Sequence, residues 1–196
     1  MRYSSEHKME TRSRILGAAG ELFRREGYGG SGIDALTKAA GVTNGAFYGH
    51  FKSKSEAFRA AVLTGLDELR LGISALRQQE GKGWLTAFVS YYLGPKRTCA
   101  LGQSCALPSL SPEVMRADAD TRLAYEAELR RIIGEVAAGL GDGPATERED
   151  EAIALLALLS GGVTLARAVH DPALSARIAE AVRRRALAMA SPVEGR

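Results

Sequence analysis

Apolar residues recur every three or four positions through most of the chain, a spacing typical of amphipathic α-helices. The first such stretch runs from Met9 to about Glu26, after a polar arm over residues 1–8. Further stretches predict helices over about 54–79, 83–93, 113–140, 147–169 and 173–190, with Pro112 opening the third of them, and a shorter helix within 102–110. We find no segment with the alternation expected of a half-buried strand. The pattern predicts an all-α protein of about nine helices.

Two short helices joined by a tight turn are predicted between residues 31 and 54. Ser31 and Asp34 form an S-x-x-D pattern typical of a helix N-terminus, because both side chains can satisfy free backbone N–H groups. Gly41 is expected to end this helix, since glycine adopts a left-handed conformation without steric cost. Ser53 is expected to cap the long helix that follows. Spacing and caps together are typical of a helix-turn-helix, which docks on DNA.

The second short helix, from Asn44 to about His50, is hardly two turns long. A helix of this length is not stable alone, so Phe47 and Phe51 are expected to anchor it on the preceding helices. Thr43 is placed to cap it. We therefore expect a helix held in place by its aromatic side.

The opposite side of this helix is suited to DNA. A recognition helix needs a small residue where its backbone nears the phosphates, and polar or aromatic side chains beside it. Gly45 and Ala46 meet the first requirement, and Asn44, Tyr48 and His50 meet the second. The alternative interpretation places Tyr48 and His50 at the rim of a core.

Positive charge is concentrated near the same motif. The formal net charge is +3; residues 1–54 contain nine Lys/Arg and five Asp/Glu, a net of +4, and residues 55–196 contain 17 and 18, a net of −1. Lys52 and Lys54 follow the second short helix directly. This local excess of positive charge favours binding to a phosphate backbone, although a solvated basic face would have the same excess.

The N-terminal quarter of the chain resembles the DNA-binding domain of the TetR/AcrR family of transcriptional regulators. The resemblance is carried by TRSRILGAAGELFRREGYGGSGIDALTKAAGVTNGAFYGHFKSKSEAFRAAV, over about residues 11–62, and is most specific at GVTNGAFYGHFKSKSEAF. It implies contacts with phosphates, a recognition helix that begins at Thr43, and a backbone contact near the start of the preceding helix. The candidate DNA-binding residues are Ser31, Thr43, Asn44, Gly45, Tyr48, His50 and Lys54.

Three positions depart from the pattern of the family that the sequence resembles. Thr37 stands where a small alanine is usual, Asn44 replaces a frequent lysine, and Gly49 takes a place that is often bulky or aromatic. The amide of Asn44 could hydrogen-bond adenine edges. The base sequence of the operator does not follow from the resemblance.

The same resemblance implies two domains: a DNA-binding domain over residues 1–53, and a helical domain over residues 54–196 that binds a small molecule and forms a homodimer. Ligand pockets in proteins are mostly apolar, with a few polar groups. An aromatic stripe at helical spacing is more often plain core. The candidate ligand-binding residues are Trp84, Phe88, Tyr91, Tyr92, Cys105 and Tyr125.

The last two predicted helices are our candidates for the dimer interface. The segment IALLALLSGGVTLA is apolar nearly all round, which predicts burial on several sides and suggests a partner chain. Gly161 and Gly162 would allow two helices to approach closely. The candidate interface residues are Leu155, Leu158, Leu159, Val163, Ala166, Ile178, Val182 and Leu187.

Several other functional classes have little support in the sequence. The three histidines lie far apart, and metal-ligand spacings, nucleophile elbows and phosphate loops are lacking, so we expect neither an enzyme, nor a metal site, nor a cofactor. No stretch approaches the roughly 18 to 20 uninterrupted apolar residues of a membrane span, and the start lacks the apolar core of a signal peptide. We expect a cytoplasmic protein.

The sequence thus predicts a regulator, most simply a repressor that a small molecule releases from a near-palindromic double-stranded operator. A helical protein-interaction module without operator binding is one alternative. A redox sensor is another, because Cys99 and Cys105 could form a reversible disulfide; two unremarkable cytosolic thiols explain them more simply.

Overall fold

The computed structural model describes residues 5–141 and 143–189. Over those residues every regular element is helical, which confirms the all-α fold. The α-helices are α1 (Ser5–Gly30), α2 (Ile33–Ala40), α3 (Asn44–Tyr48), α4 (Lys54–Glu80), α5 (Trp84–Leu93), α6 (Pro95–Thr98), α7 (Ala106–Val114), α8 (Ala119–Ala137), α9 (Ala145–Ala168) and α10 (Pro172–Met189). Short 3-10 turns lie at Gly81–Gly83 and Leu101–Gln103. Residues 1–4 of the predicted arm, and Ala190 of the last predicted helix, lie outside the described residues.

Helices α1–α3, which we call the head, sit on one end of helices α4–α10, which we call the body. Helix α1 packs against α2 and α4, α4 runs along α8, and α10 packs against α9 and α5. One hydrophobic core continues from Ile15 and Phe23 in the head to Leu155 and Ala186 in the body. Because interiors are close-packed, this shared core couples the packing of the body to that of the head.

The connection between α1 and α2 differs from the prediction. Gly27 has φ 72° and ψ 170° and breaks the regular α1 geometry. The N-cap of α2 is Gly32, which has no side chain to cap with. The Ser31 hydroxyl instead donates to the Gly27 carbonyl at 2.8 Å. The predicted Ser31 capping box is therefore wrong, since this hydroxyl closes the preceding turn.

The predicted helix over 113–140 is also wrong at its start. Pro112 lies inside α7, where its missing N–H removes one bond near the end of a short helix. Helix α8 begins at Ala119, and the Asp118 carboxylate caps it by accepting from the Thr121 N–H at 2.7 Å. Aspartate is as favourable an N-cap as serine, so Asp118 and not Pro112 sets the start of α8.

Helix α9 contains the long apolar segment IALLALLSGGVTLA. By length and composition alone it could cross a membrane, yet 39% of its 18-residue apolar window is buried inside the subunit. Its Gly162 faces α10, where an added Cβ would lie 2.7 Å from Val182 Cγ2. The close approach predicted for the Gly161-Gly162 pair thus occurs between α9 and α10 of one subunit.

Candidate nucleic-acid interface and effector cavity

The turn between α2 and α3 is fixed from both sides. Gly41 caps α2 in the left-handed conformation, with φ 62°, as predicted. The Arg14 guanidinium donates to the carbonyls of Ala40 and Gly41 at 2.9 and 3.0 Å. A cation at this end also suits the helix dipole. The Thr43 hydroxyl accepts from the Ala46 N–H at 3.1 Å, which confirms the predicted cap of α3.

The inner side of α3 is anchored by aromatic packing. Phe47 and Phe51 are buried, with ring centroids 5.6 Å apart. The Arg12 guanidinium of α1 lies 5.1 Å from the Phe51 centroid, a cation–π distance. Five residues form α3, too few for a stable helix in water, so this aromatic packing and the contacts with α2 hold it in place.

The outer side of α3 is open. Thr43, Asn44, Gly45 and Tyr48 are exposed, and Tyr48 keeps 55% of its surface accessible. A Cβ added at Gly45 would meet nothing nearer than Thr43 Oγ1 at 3.9 Å. The fold therefore does not require glycine here, although glycine costs a helix about 1 kcal/mol. The bare backbone lets another molecule approach closely.

Asn44 is held by two neighbours on α2. Its Nδ2 donates to Asp34 Oδ1 at 2.9 Å, and its Oδ1 accepts from the Thr37 hydroxyl at 2.9 Å. Each end of the amide thus has one partner on α2, which leaves one N–H and one lone pair for any further contact. The sequence reasoning missed this network; polar residues at spacings of three, seven and ten are its only signal.

The remaining candidate DNA-binding residues are less accessible. Ser31 is fully buried. Lys54 Nζ donates to the Tyr28 carbonyl at 2.7 Å and lies 4.1 Å from the Tyr28 ring centroid, so it joins α4 to the end of α1. Partial burial, followed by the charges of Lys8 and Arg12, lowers the pKa of His50, which is therefore mainly neutral at pH 7.

A cavity of about 490 Å³ lies in the body beside the end of α1. Its size falls within the range of small-molecule sites. Of the six candidate ligand-binding residues, Phe88, Tyr91, Tyr92 and Cys105 line it. The structure thus brings these four together around one cavity.

The other two candidates lie elsewhere. Trp84 Nε1 donates to the Gly139 carbonyl at 2.9 Å, and its indole fills the space that a Cβ at Gly139 would occupy. The Tyr125 hydroxyl is 2.7 Å from that of Ser111, and its ring lines a second cavity of about 390 Å³. Trp84 is thus part of the packing between α5 and the end of α8.

Arg24 is a cavity residue that the sequence reasoning missed. It comes from α1, and its side chain is only 12% exposed. Its Nη1 lies 3.4 Å from the Gly102 carbonyl and its Nη2 lies 3.8 Å from a Glu68 carboxylate oxygen. In the sequence it stands beside Arg25 in a basic amphipathic helix, where nothing distinguishes an inward from an outward arginine.

The two cysteines are free thiols in different surroundings. Burial raises the pKa of the Cys105 thiol, and burial also raises that of Tyr92 well above its ordinary value. The half-buried Cys99 thiol donates to the Lys96 carbonyl at 3.3 Å. Because a thiolate is the reactive form, the environment of Cys105 opposes redox reactivity.

The comparisons with known proteins agree with this geometry. A family model described as bacterial regulatory proteins, tetR family, matches residues 15–61. The HTH-type transcriptional regulator AcrR of Shigella flexneri is 38% identical over 78 residues, which span 40% of this chain and 35% of AcrR. The HTH-type transcriptional repressor NemR of Escherichia coli is 29% identical over 147 residues, 73% of this chain and 72% of NemR.

The crystal structure of reduced E. coli NemR extends the likeness to the whole fold. It superposes with a TM-score of 0.80 over 95% of this chain and 100% of that chain, at 21% identity. Residues 15–61 belong to the TetR family of bacterial regulatory proteins. They contain all of α2 and α3. The body shares the fold of NemR, while its ligand does not follow from that likeness.

The structure explains two of the three positions at which the sequence departs from the TetR-family pattern. Thr37 and Asn44 are hydrogen-bonded to each other, so the two unusual residues form one pair. Gly49 follows α3 with an ordinary helical φ of −69°. This TetR-family head therefore positions α3 through polar side chains as well as through its aromatic side.

Proposed function

We propose that this protein is a cytoplasmic transcriptional regulator that acts as a repressor. It binds operator DNA and is released from it when a small molecule binds. The observation that carries the proposal is the outer side of α3: exposed backbone at Gly45 beside Thr43 and Tyr48, on a helix anchored from behind. We also propose the domain boundary at Ser53, whose hydroxyl caps α4 by accepting from the Glu56 N–H at 3.1 Å.

The DNA-binding role requires a rigid helix end with accessible donors. Thr43 caps α3 and remains exposed, so its backbone and hydroxyl lie at the positive end of the helix. Tyr48 projects from the same helix with most of its ring accessible. We assign Thr43, Gly45 and Tyr48 to the phosphate backbone, and His50 to the rim of the same surface.

A homodimer is supported by the exposed part of α9. Leu165 is 61% exposed, and Ile153 is also exposed. The same helix exposes the small residues Ala154, Ala157, Gly161 and Ala168 among others. Among the predicted interface residues, Leu155, Leu159, Val163 and Ala166 are at most 2% exposed because they pack in the subunit's own core. The interface therefore moves to the outward side of α9. Leu158, Ile178, Val182 and Leu187 are partly buried and remain candidates.

Regulation by a ligand is supported by the position of the cavity between two helices that reach the head. Arg24 of α1 and Ile73 of α4 both line it. The other half of α1 supports α3 through Arg12 and the α2 turn through Arg14. A ligand with different affinities for two arrangements of α1 and α4 would shift the spacing of two heads on successive major grooves.

The DNA-binding proposal is tested by replacing Gly45 with glutamine. Fluorescence anisotropy is measured on a labelled duplex taken from directly upstream of the protein's own coding sequence, over a range of salt concentrations. We expect Gly45→Gln to weaken binding by about tenfold or more, a loss of roughly 1.4 kcal/mol, and to leave the fold intact because the added side chain meets open space. Tyr48→Ala should weaken binding to specific and unrelated duplexes alike.

The matched control is Gly134→Gln on α8, which is also exposed and also surrounded by open space. It should leave DNA binding unchanged. Wild-type protein that shows no salt-dependent duplex binding would overturn the regulator and favour the helical interaction module instead.

A further inference from the structure

The guanidinium of Arg24 is incompletely paired inside the 490 Å³ cavity. Its Nε is buried without a hydrogen-bond partner among the described residues. Its two other contacts are long: 3.4 Å to the Gly102 carbonyl and 3.8 Å to Glu68, whose own side chain is 68% exposed. A guanidinium has five N–H donors, and a buried charge is costly unless it is paired and hydrogen-bonded.

Helix α4 makes room for this guanidinium at Gly65. A Cβ there would lie 2.6 Å from Arg24 Nη2 and 2.6 Å from Ala106 Cβ. The missing side chain at Gly65 therefore leaves space on α4 for the Arg24 guanidinium and for Ala106 of α7. Arg24 of the head and Gly65 of the body thus pack together where the head meets the body.

The rest of the cavity wall is apolar and aromatic, with an excess of positive charge. Phe88, Tyr92 and Ile73 supply a broad apolar surface. Among the described lining residues the charged ones are Arg24, Lys96 and the mostly exposed Glu68. Two cations against one solvated carboxylate favour an anion in the cavity.

We propose that the cavity binds an organic anion with an apolar body, such as an aromatic carboxylate or sulfonate, and that Arg24 is the residue that recognises its anionic group. This inference rests on the proposed ligand-responsive function and names the class of its ligand. The anion replaces the long contacts of Arg24 with short charge-assisted bonds. Arg24 lies on α1, which is part of the head. The side chain that recognises the anion therefore also links anion binding to the position of the head.

A matched pair of fluorescent probes tests the proposal without DNA. The probes are 8-anilinonaphthalene-1-sulfonate and N-phenyl-1-naphthylamine, which differ by the sulfonate. In Arg24→Gln the Kd of the sulfonate should rise about tenfold, while that of the neutral probe changes less than about twofold. Arg25→Gln, at the next and exposed position, is the matched control and should change neither Kd.

Two further variants locate the site and protect the test against misfolding. Gly72 lines the cavity with open space beside it, so Gly72→Phe should remove binding of the sulfonate from the cavity. Glu68→Gln removes the competing carboxylate at an exposed position and should tighten binding of the sulfonate about two- to threefold. This variant decides the matter if Arg24→Gln does not fold.

The anion site is overturned if Arg24→Gln weakens both probes equally, or if Glu68→Gln leaves the Kd of the sulfonate unchanged. Sulfonate bound only in the second cavity would also overturn it. Gly72 is not among the residues that line that cavity, so binding there would survive Gly72→Phe. Failure of DNA binding with the probe results intact would overturn the regulator and leave the anion site standing.

Discussion

The amide of Asn44 shows how single residues set the geometry of the recognition surface. It is exposed, yet it bonds to Asp34 and Thr37 on the preceding helix. Thr37 is buried, and its hydroxyl has two acceptors within reach, Asn44 Oδ1 at 2.9 Å and the Asp34 carbonyl at 3.2 Å. The pair therefore adds polar contacts to the packing that orients α3 against α2, and a base could reach only the second N–H and the second lone pair of the amide while both bonds are kept.

This coupling predicts a non-additive stability effect between Thr37 and Asn44. Thr37→Val keeps the shape of the side chain and removes the hydroxyl, and Asn44→Ala removes the acceptor. Each should lower the free energy of unfolding by about 1 kcal/mol. The double variant should lose less than the sum, with a coupling of about 0.5–1.5 kcal/mol in urea denaturation.

The matched comparison combines Thr37→Val with Gly134→Ala on α8, which shares no partner with it. That pair should be additive within about 0.5 kcal/mol. Additivity of the Thr37 and Asn44 variants would show that the bond contributes nothing to the fold, and that Asn44 is free for another role.

At the scale of helices, the N-terminus of α8 joins the first turn of α4. The Ser55 hydroxyl donates to Asp118 Oδ2 at 2.7 Å, and the Thr121 N–H donates to the other carboxylate oxygen. These bonds lower the pKa of Asp118 from 3.8 to about 2, with the Ser55 bond the largest cause. The two helices that carry the body are thus linked close to the head.

The lowered pKa predicts a pH-dependent contribution to stability. Because the folded pKa lies below the unfolded value, the contribution of Asp118 is complete above about pH 4 and is lost as the pH falls toward 2. Asp118→Ala should therefore lower the thermal midpoint at pH 7, and its difference from wild type should shrink below pH 4. Asp120→Ala, exposed in the first turn of the same helix, is the control.

The result is measured by circular dichroism melts across that pH range. A difference between wild type and Asp118→Ala that stays constant down to pH 2 would contradict the assigned cause. It would mean that the variant acts by losing packing rather than a carboxylate.

Helix limits were predictable where one residue type has one strong preference. Gly41, Thr43 and Ser53 were predicted correctly because a left-handed C-cap and a hydroxyl N-cap are local. The predictions at Ser31 and Pro112 were wrong because each residue type has two common structural roles, and tertiary packing decides between them. Local chemistry thus located most helix ends, and long-range contacts set the remainder.

At the scale of the whole molecule, the helical class followed from periodicity, whereas the composition of the cavity did not. Phe88 and Tyr92 share a helix face, so their proximity was visible in the sequence. Arg24 lines the same cavity only because α1 passes along the body. The periodicity of the α9 segment 153–166 likewise does not show which side faces the subunit core, because that segment is apolar nearly all round.

The outward side of α9 is the proposed interface between the two subunits. Replacing the 61%-exposed Leu165 with aspartate should yield a monomer in sedimentation velocity at micromolar concentrations where wild type is a dimer, because an ion would be buried in an apolar interface. Leu71→Asp, at an exposed leucine on α4, should leave the dimer intact. Leu159→Ala should instead destabilise the subunit by about 2–5 kcal/mol, since that side chain is core. A Leu165→Asp protein that still sediments as a dimer would return the interface to α10, to Ile178 and its neighbours.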